Sequence, residues 1–239
     1  MTDEPCRYLE WDSRFFGIEI GQVASGRLDP PAVAAVDRWC AARRIDCLYF
    51  LADEPGASTA CAEDAGFRLV DVRVELERAL VPPPAALAPR VRSAEARDLP
   101  ALRAISRTSH HDSRFYRDER FPRARADALY ETWIEKSCQG SAAAVLVADV
   151  DGTVAGYVTC EQASATAGRI GLFAVAAAER GHGVGSALVA SALAWLGARG
   201  VETVAVATQG RNVAAQQLYQ AAGFRTAALR LWYHRWSVA

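Results

Sequence analysis

Apolar residues recur along this chain in two rhythms, and the switches between them mark its elements. Val184, Leu188, Val189, Ala192, Leu193 and Leu196 fall at three- and four-residue spacing, the one-sided face of an amphipathic helix. Apolar runs at 143–149, 153–161, 168–175, 201–208 and 224–235 read as strands. Asp151-Gly152 separates the first two, a pair that favours the positive-φ turn of a tight hairpin. Helical patterns cover 94–109, 124–137 and 212–222. The first 80 residues give a helix at 33–44, a short buried strand at 47–51 and an alternating strand at 69–76.

Between the two regions, residues 81–89 read Val-Pro-Pro-Pro-Ala-Ala-Leu-Ala-Pro, which continues neither a helix nor a central strand. The expected organisation is therefore a small α/β unit over 1–80, a proline-rich linker over 81–90 and a larger domain over 91–239. About 80 residues make a marginal core, so the first unit should dock on the second. A local echo links them: Ala65-Gly66-Phe67-Arg68 and Ala222-Gly223-Phe224-Arg225 each join a helix to an apolar strand. Glycine is the preferred residue just past a helix, which accounts for the echo without duplication. A degenerate half-copy is the alternative.

Composition narrows the chemistry. Six scattered cysteines include no Cys-x-x-Cys pair, and the four histidines do not join them at ligand spacing, so no metal is expected. The start lacks a basic-then-apolar leader, and the uncharged stretch after Arg180 suits a buried helix better than a bilayer crossing. A cytoplasmic protein without a membrane span is expected. Residues 1–85 carry 15 acidic and 9 basic side chains and the rest 13 and 18, so the second region can meet polyanionic small molecules. No basic stripe with interleaved aromatics points to nucleic acid.

Arg180-Gly181-His182-Gly183-Val184-Gly185 follows a strand and opens the long helix. Glycines let backbone N–H groups turn around an anion, and the helix start adds partial positive charge, a combination suited to pyrophosphate. It is neither a dinucleotide fingerprint with a ribose-binding acid nor a Walker loop with its lysine. Arg180-x-x-Gly183-x-Gly185, followed by Asn212-Val-Ala-Ala-Gln-Gln-Leu-Tyr219-Gln-Ala-Ala-Gly223-Phe224, resembles the acetyl-CoA motifs of the GNAT superfamily. More loosely, Leu9-Glu-Trp-Asp-Ser-Arg-Phe-Phe-Gly17, Ser113-Arg-Phe-Tyr116, Tyr130-Glu-Thr-Trp133-Ile134, Arg169-Ile-Gly-Leu172, Ala207-Thr-Gln209 and Leu231-Trp-Tyr-His-Arg235 resemble bacterial TDP-amino-sugar acetyltransferases, the dTDP-fucosamine enzymes among them.

That resemblance implies a GNAT-type α/β fold: a mixed, mostly antiparallel sheet flanked by helices, with a smaller N-terminal α/β domain. It implies acetyl-CoA as co-substrate, with Phe173 and Val175 pairing through their backbones with the pantetheine arm. The pyrophosphate would sit on Arg180, Gly181, His182, Gly183, Val184, Gly185 and Ser186, with Asn212 and Tyr219 beside the cofactor. Tyr219 would protonate the departing thiolate; as a residue on a helix face it would otherwise be a core aromatic. Relatives often place a glutamate on the strand before the loop, but 169–175 contains no acid. Glu161 is a candidate base, as are His110 and His111, beside a water relay or no base at all.

The family builds its acceptor site between the first two helices, which here is 110–125. That stretch holds His110, Arg114 and Tyr116 among five arginines and three aromatics, suited to a nucleotide-sugar diphosphate and its rings. Asp112, Asp118 and Glu119 would equally compensate those charges in a solvated loop. The implied acceptor is a small-molecule amine on a nucleotide sugar, and a homodimer is compatible with the sequence. The alternatives are another small amine or a peptide amine, or a non-catalytic acyl-CoA-binding module.

Overall fold

The computed structural model describes residues 4–53, 56–80, 88 and 90–237, so most of the proline-rich segment expected as a linker lies outside the described residues. In chain order the elements are β1 (Cys6–Tyr8), α1 (Glu10–Phe16), β2 (Ile20–Val23), α2 (Pro30–Arg43), β3 (Cys47–Ala52), α3 (Ala57–Asp64) and β4 (Arg68–Ala79). Then follow β5 (Val91–Ser93), α4 (Leu99–Ser109), α5 (Arg114–Arg117), α6 (Arg123–Lys136), β6 (Ala144–Val150), β7 (Thr153–Gln162) and β8 (Ala167–Val175). The last are α7 (Val184–Gly197), β9 (Thr203–Gln209), α8 (Val213–Ala221) and β10 (Arg225–Trp236).

The strands form one sheet in the order β1-β2-β3-β10-β4-β9-β8-β7-β6-β5. Only β2·β3 and β8·β9 pair in parallel among the described residues, so the sheet is mixed and mostly antiparallel, as expected. Alternation along β6 shows how the sheet serves two layers. Val145 and Val147 join the core beneath α4 and α6, while Leu146 and Ala148 join the core beneath α7. From α7, Leu188, Val189, Leu193 and Leu196 are all but fully buried in that second core. Each such side chain stabilises the fold by roughly 1.5–3 kcal/mol.

Local chemistry sets the joints. Asp151 and Gly152 have φ of 51° and 81°, the two positive values that the β6–β7 hairpin turn demands. Helix α2 starts on Asp29, whose Oδ1 accepts from the Ala32 N–H at 2.8 Å, with prolines in its first turn. The repeated Gly-Phe joints share one geometry. Gly66 and Gly223 have φ of 83° and 85°, and Phe67 and Phe224 donate to the Ala62 and Tyr219 carbonyls at 3.0 Å each. The strands leaving these joints, β4 and β10, then pair with each other.

Candidate active site

β8 is the strand on which the site is built. It pairs with β9 only through Ile170 against Val206, and from Gly171 onward its edge on that side has no strand partner. On the other side, against β7, Val158 faces Phe173 and Cys160 faces Ile170, so Gly171 and Leu172 together oppose Thr159. This one-residue bulge is held by the Thr159 hydroxyl, which accepts the Leu172 N–H at 2.7 Å. It also resets which backbone groups face the gap. Ala176 donates to the Ala155 carbonyl on β7, so by alternation Val175 and Phe173 turn their N–H and C=O groups towards the split between β8 and β9.

Past the end of β8 lies the glycine turn. Gly181 and Gly183 both have φ of 80°, a left-handed conformation that side chains other than glycine adopt at a cost. Gly183 is the residue before α7, so no side chain caps the helix and its first N–H groups point outward. Arg180 donates from Nε to the Val175 carbonyl at 3.2 Å. Together these line a groove of about 600 Å3, bounded by Phe173 and Val175 on one side and by Ser186, Asn212 and Leu218 on the other. Asn212 caps α8, its Oδ1 accepting the Ala215 N–H at 3.1 Å. His182 is exposed and lines no part of the groove, and the Val184 side chain enters the core, leaving only its backbone to the turn.

A second cavity, of about 280 Å3, meets the groove at Ser109, Asp112, Phe173, Asn212 and Ala215. The Ser109 hydroxyl at this junction is buried without a protein partner, the kind of vacant polar group that a substrate amide satisfies. Tyr219 lines the second cavity. Its ring is buried against Phe173 and Phe224, and burial pushes the phenol well above its usual range, so it carries its proton at neutral pH. Among the described residues Tyr219 Oη has no hydrogen-bond partner, and the side chain lines the cavity. Glu161 is in the same wall, but its carboxylate is engaged by Arg169 through both Nε and a terminal nitrogen. Arg73 contributes a further cation, itself paired with Glu75 at 2.7 Å, and Tyr130 and Trp133 supply aromatic faces.

His110, at the end of α4, lines this cavity as well. Its Nε2 lies 3.0 Å from the Tyr157 hydroxyl, and its ring stacks on Tyr130 at 4.3 Å. Burial, reinforced by neighbouring His111, pushes its pKa down to about 4, so it is neutral in the working range.

The other expected acceptor residues are placed differently. Arg114 is enclosed by the rings of Tyr49, Phe115 and Trp232 at 4.0–4.5 Å and reaches His234 Nε2 at 3.5 Å. The Tyr116 hydroxyl donates to Asp127 at 2.6 Å. Neither lines either cavity. The segment instead anchors β10: Asp118 accepts from His234 Nδ1 at 2.9 Å, Trp236 Nε1 at 2.7 Å and Arg120 Nε at 3.0 Å. Burial opposes the Asp118 charge, but those three donors outweigh it and hold the carboxyl well below the usual carboxylate range. Arg73 and Arg169 are the cationic side chains lining the second cavity, and neither is a site candidate by sequence pattern alone. Arg73 lies on β4, far from the glycine loop in sequence; Arg169 and Gly171 belong to a run that carries the family resemblance, but nothing in their spacing attaches a site role to them.

A free strand edge running into an uncapped glycine turn, beside a buried tyrosine, is a geometry that fits an acyl-CoA thioester. The chain belongs to the GNAT acetyltransferase family, whose model, described as Acetyltransferase (GNAT) family, matches residues 105–224. It is 31% identical over 235 residues to the dTDP-fucosamine acetyltransferase of Escherichia coli O6:H1, covering 95% of this chain and 96% of that one. It is 28% identical over 139 residues to the spore coat polysaccharide biosynthesis protein SpsD of Bacillus subtilis, covering 58% and 48%. The crystal structure of a GCN5-related N-acetyltransferase from Sphaerobacter thermophilus superposes with a TM-score of 0.65 at 16% identity, covering 97% and 76%, which shows the shared fold. This protein is therefore a GNAT N-acetyltransferase with acyl-CoA as donor. Among the described residues, no helix is long and apolar enough to cross a membrane.

Proposed function

We propose that this enzyme transfers the acetyl group of acetyl-CoA to the amino group of a nucleotide-linked amino-deoxy sugar, a cytoplasmic step in making surface polysaccharide. The observation that carries the acceptor is likeness along almost the whole chain to the dTDP-fucosamine enzyme, N-terminal region included. The cavity supports it: Arg73 and Arg169 suit an anionic substrate, and Tyr130 and Trp133 suit the flat faces of sugar and base.

In this reading, the exposed backbone groups of Phe173 and Val175 hold the pantetheine arm as an added strand. The N–H groups from Gly181 to Ser186, with Arg180, take the pyrophosphate. The amine enters from the second cavity, its nitrogen attacks the thioester carbon, and Tyr219 protonates the sulfur as the C–S bond breaks. Glu161, paired with Arg169, contributes to the acceptor wall rather than serving as the base.

Asp112 and Glu161 also give the cavity negative charge, which favours a second reading with a cationic acceptor such as a polyamine. A CoA-release assay over amino-sugar nucleotides, free amino sugars, polyamines and peptides separates the two. The proposal expects kcat/KM at least about tenfold higher for an amino-sugar nucleotide, the worth of a single charged contact. Equal or better turnover of polyamines would overturn it.

A further inference from the structure

Behind His110 runs a chain of buried hydroxyls whose hydrogen-bond direction is fixed from its far end. The Tyr130 carbonyl can only accept, so Ser106 Oγ, at 2.8 Å, must donate its one proton there. Tyr157 Oη, 3.0 Å from that same Ser106 oxygen, must then be the donor of the pair. With the Tyr157 proton spent, the 3.0 Å contact to His110 can be made only by an Nε2–H donating to the phenol oxygen. Ser106 and Tyr157 are fully buried, so water does not intervene.

Neutral His110 is therefore the Nε2–H tautomer, and the lone pair is on Nδ1. Among the described residues no group hydrogen-bonds to that nitrogen, and it is not one of the buried atoms without a partner. His110 lines the second cavity, as does Tyr219. Stacking on Tyr130, with the rings inclined by only 14°, holds the imidazole plane, and the hydrogen bond to Tyr157 opposes a flip of the ring.

We infer that His110 Nδ1 takes the proton released by the attacking amine, with Ser106 and Tyr157 as positioning residues that lock its tautomer. The amine nitrogen bonds to the thioester carbon and the C–S bond breaks. The nitrogen's surplus proton passes to Nδ1, and the departing sulfur receives the Tyr219 hydroxyl proton. Imidazolium and phenolate then recover by exchange with water. A weakly basic imidazole suffices, because a nitrogen joined to the acyl carbon is far more acidic than a free ammonium. The titratable groups around the ring are His111 beside it, Tyr130 from α6 and Tyr157 from β7, with Asp112 and the Glu161–Arg169 pair elsewhere in the wall. Among the described residues, none of these hydrogen-bonds to Nδ1. The inference rests on amine acetylation, not on which amine is the acceptor.

The test has two arms. Imidazole 15N NMR on the wild-type protein, assigned through bonds, should show His110 as the neutral Nε2–H tautomer from about pH 5.5 to 8. An Nδ1–H tautomer or an imidazolium at neutral pH would overturn the inference. Steady-state kinetics with the best acceptor found should show kcat reduced roughly 10²-fold in His110→Asn, with acetyl-CoA affinity within about twofold. Tyr157→Phe should mix the tautomers and lower kcat by roughly tenfold, a change that packing alone does not produce. Unchanged kcat in a folded His110→Asn refutes the proton-acceptor role, and the NMR arm decides the tautomer even if that variant fails to fold. Failure of the sugar-nucleotide acceptor alone shows in the substrate panel and leaves both arms readable.

Discussion

Replacing Gly171 by alanine should damage both stability and donor binding, through one hydroxyl. A Cβ at this position would lie 2.5 Å from Glu161 Oε1 and 2.6 Å from Thr159 Oγ1. The Glu161 carboxylate ends a flexible chain and can swing, though at the expense of its pair with Arg169. Thr159 cannot give so easily: it is β-branched, fully buried, and its hydroxyl accepts the Leu172 N–H that closes the bulge. Rotating it away leaves the part-buried Leu172 N–H without its partner, which costs up to about 1–3 kcal/mol. For a chain of this size, 2 kcal/mol lowers Tm by roughly 4–8 °C. The bulge also sets the direction of the Phe173 and Val175 backbone groups. Losing one hydrogen bond to the donor, about 1.4 kcal/mol, raises Kd for acetyl-CoA roughly tenfold. Thermal unfolding and calorimetric titration with acetyl-CoA measure the two effects. A variant with lowered Tm but unchanged Kd would refute the link from bulge to binding edge, and one unchanged in both would refute the whole chain of reasoning.

Tyr219→Phe should leave stability and acetyl-CoA affinity intact, since its hydroxyl has no protein partner, while kcat falls at least about 10²-fold; kcat within about threefold of wild type would exclude the acid role. Gly183→Ala must adopt φ near 80°, costing about 1–2 kcal/mol, and should weaken acetyl-CoA binding roughly tenfold by tilting the turn; isothermal titration reads this, and unchanged affinity argues against an anion seat. Asp71 is buried with one carboxylate oxygen unpartnered, and burial raises its pKa to about 6 against the pull of Arg211. That lies above the unfolded value of about 3.9, so the stability is fully present below about pH 4 and is lost as pH rises through about 6. Asp71→Asn should therefore match wild type near pH 4 and exceed it at pH 7 by up to about 3 kcal/mol in denaturant titrations; equal or lower stability at pH 7 would refute the assignment.

What could be read from the sequence divides along sequence distance. The β6–β7 hairpin, the glycine turn and the amphipathic face of α7 depend on neighbouring residues, so Asp151-Gly152, Gly183 and the Leu188–Leu196 spacing reveal them. The short elements before Pro30 went unseen because β1 and β2 have three and four residues and take their order from pairing with β3. Predicting the acceptor wall requires knowing which strand faces lie together. Arg73, Ser109, Arg169 and Gln209 come from four separate segments, and no spacing rule joins them. The arginine-rich stretch invited a role in substrate binding, yet Arg114 is consumed by aromatic rings and Arg120 by Asp118. Gly171 within a strand is itself a common mark of a bulge.

The position of β10 bears on how the molecule is made. β3 and β4, neighbours along the chain apart from α3, are kept apart in the sheet by β10. β4, twelve residues long, pairs on both sides with strands translated much later, and the Tyr233–Glu63 hydrogen bond spans 170 residues. A nascent chain thus leaves the ribosome with its longest early strand unpaired on both edges, open to aggregation until translation nears its close. The enzyme's N-terminal region waits on its C-terminal strand, and a product cut short before β10 should be cleared by proteases rather than persist as a partial fold.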